Sequence, residues 1–184
     1  MLFRSTATFD TLMRAFLDYQ PLNPQRIVAP NDPRSDGEYQ FYGSQQWGKN
    51  AIAINLDTRT FRDVRLNKAA GGDDTGARAD NPDRTLLGAT QLAWLKSTLL
   101  NAKANGVLWK IINITDPMDM IGPYGGAADG GKSWWGGYRA ERNDLLKFIA
   151  DNGIRGVVFM ASDDHQNRIN ELTYMPDRSG RAHV

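Results

Sequence analysis

The chain has no cysteine among its 184 residues and only two histidines. The lack of cysteine excludes disulfides, thiolate nucleophiles, cysteine-based zinc fingers and iron–sulfur clusters. Charge of one sign is not in excess either, because 22 lysines and arginines face 21 aspartates and glutamates, for a formal net charge of +1. No overall field therefore favours a nucleic acid or an anionic membrane as the partner.

Long apolar runs are also missing from this sequence. The N-terminus, Met1–Thr6, lacks a basic region followed by an apolar segment and a cleavage site of small residues. We therefore predict no membrane-spanning helix and no signal peptide within the chain. The length is that of one ordinary domain, and we expect a single domain over residues 1–184.

Apolar periodicity predicts a helix and then a hairpin in the first third of the chain. The helix is expected to be capped by Thr8 or Asp10 and to end near Tyr19, ahead of two prolines. Residues 38–42 and 50–56 have the composition of strands, and the Trp47-Gly48 region between them is predicted to contain the turn.

The remainder of the chain alternates helices with strands. Helices are predicted at 88–105 and 139–152, and strands at 107–114 and 156–161. This order is typical of the α/β class. Because a crossover helix lies between the two strands, we expect them to run parallel.

The last predicted strand leads directly into Ser162-Asp163-Asp164-His165. Its short apolar composition predicts a strand buried on both faces of a sheet. If strand geometry continues through the motif, Asp163 and His165 share one face while Asp164 points away. Carboxylate oxygens and a histidine at a strand end predict a metal site. In the alternative interpretation, Asp163 caps a turn and His165 is a surface residue.

Parallel strands would bring the loops 115–137 and 163–168 to one edge of the sheet. Three side chains of the first loop are then expected to be able to approach the predicted pair: Asp116, Asp119 and Trp135. Two tryptophans and a tyrosine near the end of this loop either line a pocket wall or anchor the loop to the core: Trp134, Trp135 and Tyr138.

Two further motifs resemble phosphate-binding elements. Residues 126–133 have the spacing of a Walker-type loop, but Trp134 and the residues after it stand where the helix of such a loop would begin, so nucleotide binding is not predicted. Asp57, Thr58 and Arg59, followed by Arg62, fit either a phosphate clamp or a structural ion pair, and we favour the structural interpretation.

Four segments resemble the PhoD-like alkaline phosphatases, in the same order and at plausible spacings. The four segments are Leu56–Asp63, Leu87–Leu95, Trp135–Arg142 and Ser162–His165. The resemblance spans most of the chain. It implies half of a metallophosphoesterase-like αββα sandwich, built from a layered sheet and helices.

The resemblance also implies an activity and its site. Members of the family hydrolyse phosphate monoesters or diesters with metal ions, calcium and iron among them, often outside the cytoplasm. Asp163 and His165 match the family's late aspartate and histidine, which makes them the expected catalytic and metal-binding residues of this chain.

The sequence departs from the family pattern at two positions within the chain. Ser162 replaces a glycine, and Gly136 stands where the family usually has an acidic metal ligand. The family's earlier ligands match nothing here, because they lie upstream of the position corresponding to Met1. The resemblance therefore implies the second half of an enzyme, active only if another segment or chain completes the site.

Two functional hypotheses follow from these observations. The first is a metal-dependent phosphoester hydrolase, acting on a phosphate mono- or diester and incomplete as this chain. The second is a noncatalytic remnant or interaction module that keeps the α/β scaffold. A sugar- or nucleotide-binding domain has no supporting motif beyond the tryptophans and glycines.

Overall fold

The computed structural model describes residues 7–22, 24–66, 78–118, 134–163, 167, 169–172 and 174. The chain divides into two compact units, Met1–Phe41 and Tyr42–Val184. Within the described ranges, no helix is both long enough and apolar enough to cross a membrane.

The first unit contains helix α1, Ala7–Tyr19. The predicted helix is confirmed, but Thr8 and Asp10 lie inside it, so neither occupies the position before its first residue. At the end of this unit, the ring of Phe41 contacts the ring of Phe16 on α1 edge to face, with 5.6 Å between the ring centroids. Such aromatic pairs stabilise a small unit beyond the area they bury.

The second unit combines a four-stranded sheet with two long helices, which confirms the α/β class. Its elements in chain order are β1 (Gly43–Trp47), β2 (Ala51–Asn55), α2 (Ala89–Ala104), β3 (Trp109–Ile114), a short 3₁₀ turn (Trp135–Gly137), α3 (Arg139–Asp151) and β4 (Val157–Ala161). The strands lie in the order β1-β2-β3-β4. The first pair is antiparallel, whereas β2, β3 and β4 are parallel to one another.

The predicted hairpin exists, but its first strand was predicted too early. Strand β1 begins at Gly43, and within 38–42 only an isolated bridge forms, between Tyr39 and Arg26. The side chains of β1 are mostly exposed, so no alternation of apolar residues marks this edge strand in the sequence. Its turn does match the prediction, since Gly48 has a φ of 58°, which glycine adopts without strain.

One face of the sheet is covered by α2 and α3. Ile54 and Ile112 from the strands are fully buried against Leu95 and Leu99 of α2 and Leu145 of α3. The apolar spacing in both helices had predicted these faces. Each such side chain contributes on the order of 1.5–3 kcal/mol by leaving water, so this layer forms the core of the unit.

The opposite face of the sheet carries large apolar side chains that remain exposed. The register places Trp47 in one row with Trp109, and β4 adds Val158 and Met160 to the same face. Val158 is 38% exposed and Met160 56% exposed. The prediction that the last strand is buried on both faces is therefore wrong: β4 is the terminal strand of the sheet order, and only its helix-side residues pack against the core.

Candidate functional site

The candidate site lies where three parallel strands end. Because β2, β3 and β4 run parallel, their carboxyl ends meet at one edge of the sheet, where α/β proteins usually bind their ligands. The segments that follow the three strands bring Arg59, Asp116 and Asp163 into contact. The crossover reasoning from the sequence had predicted this edge as the site.

The segment after β2 is fixed by Asp57. Its Oδ1 accepts hydrogen bonds from the backbone N–H groups of Arg59 and Thr60, both at 2.9 Å. The amide side chain of Gln91 on α2 accepts from the N–H of Asp57 and donates to its carbonyl, each at 2.8 Å. This confirms the structural interpretation for Asp57, which shapes the turn that carries Arg59.

Asp116 follows β3 and is fully buried. Its Oδ2 accepts hydrogen bonds from the hydroxyls of Thr58, at 2.7 Å, and Thr115, at 2.8 Å. The other oxygen, Oδ1, lies 3.1 Å from Nη2 of Arg59, without a hydrogen-bond partner of good geometry among the described residues. Arg59 therefore supplies the charge that compensates this buried carboxylate.

Asp163 follows β4, and its side chain is 50% exposed. Its Oδ2 accepts a hydrogen bond of 2.8 Å from the indole Nε1–H of Trp134 and lies 3.9 Å from Nη2 of Arg59. Its Oδ1 has no partner within the part of the chain that the structure describes. One oxygen of this carboxylate is thus held in place while the other can bind a ligand.

The backbone at Asp163 does not continue the strand. Strand β4 ends at Ala161, and Asp163 has a φ of 66°, in the left-handed region that non-glycine residues seldom adopt. The condition for placing Asp163 and His165 on one face, that strand geometry persists through the motif, therefore fails. Strained backbone of this kind is frequent at functional sites.

The remaining predicted site residues divide into two groups. The first lies outside the described residues: Asp119 and His165. In the second, Trp135 and Tyr138 are fully buried in the core, which confirms them as anchors of the loop. The expectation that Trp135 could approach Asp163 is therefore wrong, because its neighbour Trp134 makes that contact.

Glu141 is a buried acid that the sequence analysis did not single out. Its carboxylate accepts hydrogen bonds from the backbone N–H groups of Leu86 and Leu87, at 2.9 and 3.0 Å, and from the hydroxyl of Thr85. Burial raises the pKa of Glu141 above its ordinary value. The residue ties α3 to the segment that precedes α2, so its role is structural.

The described residues do not by themselves form a metal site. Over the described ranges, no cluster of three or more histidines, cysteines, aspartates or glutamates is placed to hold a cation. Asp163 fits one ligand position, because its Oδ1 is an accessible carboxylate oxygen of the kind hard cations bind. Gly136, buried in the 3₁₀ turn, offers no side chain at all.

The comparison with protein families identifies the class to which this chain belongs. The family model of the PhoD-like phosphatases matches residues 6–184, nearly the whole sequence. The chain belongs to the PhoD-like phosphatase family, as its four sequence segments indicated.

Two individual proteins are similar to this chain. Alkaline phosphatase D of Bacillus subtilis (strain 168) is 29% identical over 161 residues, which are 86% of this chain and 26% of that protein. A solved structure, described as "Structure of PhoD", matches with a TM-score of 0.62 and 24% identity over 83% of this chain and 27% of its own. The second match supports the fold. The chain spans about a quarter of the length of either relative.

Proposed function

We propose that this chain contributes Asp163 and His165 as metal ligands to a phosphoester hydrolase site. One observation carries the proposal: Asp163 lies at the shared carboxyl edge of the sheet, half exposed, with Oδ1 available and Oδ2 held by neighbours. Family membership favours a phosphoester as the substrate. The finer assignments, metal dependence and hydrolysis of a phosphate mono- or diester, are part of this proposal.

Each residue has a separate task at this site. Trp134 donates to Oδ2 of Asp163 and so fixes the carboxylate plane, as outer-shell partners of metal ligands commonly do. Oδ1 of Asp163 then supplies an oxygen ligand and His165 a nitrogen ligand. The metal ions, calcium and iron by family resemblance, would supply an acidified bound water and positive charge near the phosphoryl oxygens.

The site needs further ligands beyond these two residues. Hard cations generally take six or more oxygen ligands. Of the two acids that Arg59 touches at this edge of the sheet, Asp116 is buried and only Asp163 is accessible. We propose that another segment or chain completes the centre. The length of the relatives, about four times that of the matched region, leaves ample sequence for such a segment.

A noncatalytic scaffold is the second candidate function. Gly136 is buried where the family usually has an acidic ligand, so one metal ligand has no replacement at that position. In addition, Arg59 lies near both Asp116 and Asp163, and an ion pair of this kind holds the sheet edge together without a metal. Under this alternative the fold persists as an interaction module.

Calcium binding and hydrolysis separate the two functions. Metal content of the purified protein would be measured first, followed by calcium titration in a calorimeter. Hydrolysis of an aryl phosphate and a bis-aryl phosphate with added calcium and iron would follow. We expect Asp163→Ala to weaken calcium binding about tenfold or more and to abolish any metal-dependent turnover.

Asp144→Ala is the matched control for this experiment. Asp144 also has a half-exposed carboxylate, at 53%, but it lies on α3 in an ion pair with Lys96. The Asp144→Ala variant should bind calcium with the affinity of the wild type. If wild-type protein binds metal but hydrolyses neither ester, the metal ligands stand and turnover requires the completing segment. If it binds no metal, the proposal that Asp163 and His165 are metal ligands is wrong and the scaffold function is favoured.

A further inference from the structure

Arg59 is a positively charged side chain that touches both acids of the candidate site. Its guanidinium approaches Asp116 at 3.1 Å and Asp163 at 3.9 Å, in both cases through Nη2. The side chain nevertheless remains 46% exposed. In the described part of the chain, Nη1 and Nε have no partner, so several N–H donors face outward.

The position of Arg59 is set by buried and half-buried neighbours. Asp57 accepts from the backbone N–H of Arg59 and fixes its place in the turn. Asp116, fully buried, attracts one edge of the guanidinium, and hydroxyls of Thr58 and Thr115 hold that carboxylate in turn. A buried carboxylate behind an exposed guanidinium limits its movement, which is how arginines are oriented for anion recognition.

We propose that Arg59 binds the phosphoryl oxygens of the substrate, with Asp116 as the residue that positions it. This inference rests on the proposed function, because it takes a metal held by Asp163 as the neighbour of the bound phosphate. A cation lies within about 2.0–2.6 Å of a carboxylate ligand. Since Arg59 lies 3.9 Å from Asp163, a phosphate bound to that cation falls within reach of the free donors.

The local charge indicates that phosphate binding also needs a metal ion. Arg59 carries one positive charge against two negative charges on Asp116 and Asp163, so without metal the cluster has an excess of negative charge that repels a phosphate. A divalent cation on Asp163 reverses this sign. Phosphate binding should therefore require both the cation and the guanidinium.

The shape of the guanidinium also matters. Arginine presents its donors as a planar fork that matches two oxygens of a phosphate, whereas lysine offers a single point charge. A purely structural ion pair would need only the charge near Asp116. The variant Arg59→Lys therefore distinguishes phosphate recognition from simple compensation of a buried acid.

Calorimetric titration with inorganic phosphate tests the inference without any turnover. Wild type, Arg59→Gln and Arg59→Lys would each be titrated at calcium saturation and again with a chelator. We expect the wild type to bind phosphate only when calcium is present. The phosphate affinity of Arg59→Gln should be lower than that of the wild type by about tenfold or more, and that of Arg59→Lys should lie between the two. Calcium affinity should stay within a few-fold of wild type in both variants.

Two controls keep the result interpretable. Lys96→Gln removes the same charge from α2, where Lys96 pairs with Asp144, and should leave phosphate affinity unchanged. Thermal melting followed by circular dichroism would verify that each variant is folded. Asp116→Asn keeps the shape of the side chain and should weaken phosphate binding less than Arg59→Gln does. Where turnover is measurable, Arg59→Lys should raise KM for the aryl phosphate more than it lowers kcat.

The outcomes separate this inference from the proposed function. Suppose that the wild type binds calcium and that Arg59→Gln binds phosphate as tightly as the wild type. The inference about Arg59 is then wrong, while the proposed metal site stands. Failure to bind phosphate at calcium saturation would also overturn it. If the wild type binds no calcium, the proposed function fails, and the inference fails with it.

Discussion

The two faces of the sheet differ in how much of their apolar surface is covered. On the helix side, Ile54 and Ile112 are fully buried beneath α2 and α3. On the opposite side, Trp109 is 48% exposed, although it lies on the same strand as Ile112, and Met160 of β4 is 56% exposed. The same strands thus bury one set of side chains and leave the other in contact with water, and folding of this unit depends on the covered face.

This comparison predicts a large difference between adjacent residues of β3. Ile112→Ala should reduce the free energy of unfolding by about 2–5 kcal/mol, because it leaves a cavity in a fully buried layer. Ile111→Ala is the matched control, since Ile111 lies on the open face and is only partly buried. Urea denaturation of both variants measures the difference. Equal losses would mean that the two faces are equally covered in solution.

The junction between β3 and β4 offers a second test, at Gly156. A Cβ at this position would lie 2.0 Å from the carbonyl oxygen of Leu108, and the residue has a φ of 68°. Gly156→Ala should therefore destabilise the protein by about 2–4 kcal/mol, from backbone strain and overlap together. Thermal unfolding followed by circular dichroism would measure the loss.

Gly106→Ala separates the two contributions to that loss. Gly106 has the same φ of 68° but nothing within 4 Å of an added Cβ, so only the strain of about 1 kcal/mol remains. If the two variants lose the same stability, the backbone of β4 does not approach β3 as closely as the structure indicates, and the place of β4 in the sheet needs revision.

A third prediction concerns the pH dependence of the covered side, where Glu141 is buried. Burial raises its folded-state pKa above the ordinary value of 4.5. The associated stability is fully present below the unfolded pKa and is lost as the pH rises through the folded pKa. Glu141→Gln removes this titration. The variant also loses hydrogen bonds to a charged group, which changes the free energy of unfolding by about 1 kcal/mol.

Urea midpoints at a series of pH values and constant ionic strength test the Glu141 prediction. The stability of Glu141→Gln relative to wild type should increase as the pH rises from about 4.5 toward neutrality. Parallel curves for the two proteins would contradict a raised pKa at this residue.

Sequence reasoning found the covered face because burial leaves a periodic pattern. Apolar spacing predicted α2 and α3, and the crossover between β3 and β4 predicted their parallel pairing. Strand β1 was misplaced because its side chains are exposed and follow no such pattern. The last strand has an apolar composition on both sides, so the sequence alone could not indicate that its second face is open.

The candidate site was predicted in position but not in its contacts. The edge of the sheet and Asp163 followed from the strand that ends there, whereas the pairing of Arg59 with Asp116 depends on β2 lying next to β3. Nothing local in the sequence indicates that neighbour. The sequence likewise does not distinguish Trp134 from Trp135. In the structure, Trp134 contacts Asp163 and Trp135 lies in the core.

The smallest expected effect is on the open face, at Met160. Met160→Thr should change the free energy of unfolding by no more than about 0.5 kcal/mol, because the side chain is already largely in water and threonine suits a strand. Binding of a hydrophobic dye should fall, since an apolar group leaves an exposed patch. Urea denaturation and dye fluorescence measure the two quantities. A loss above 1 kcal/mol would show instead that this face is covered when the chain folds, and the contrast between the two faces would no longer hold.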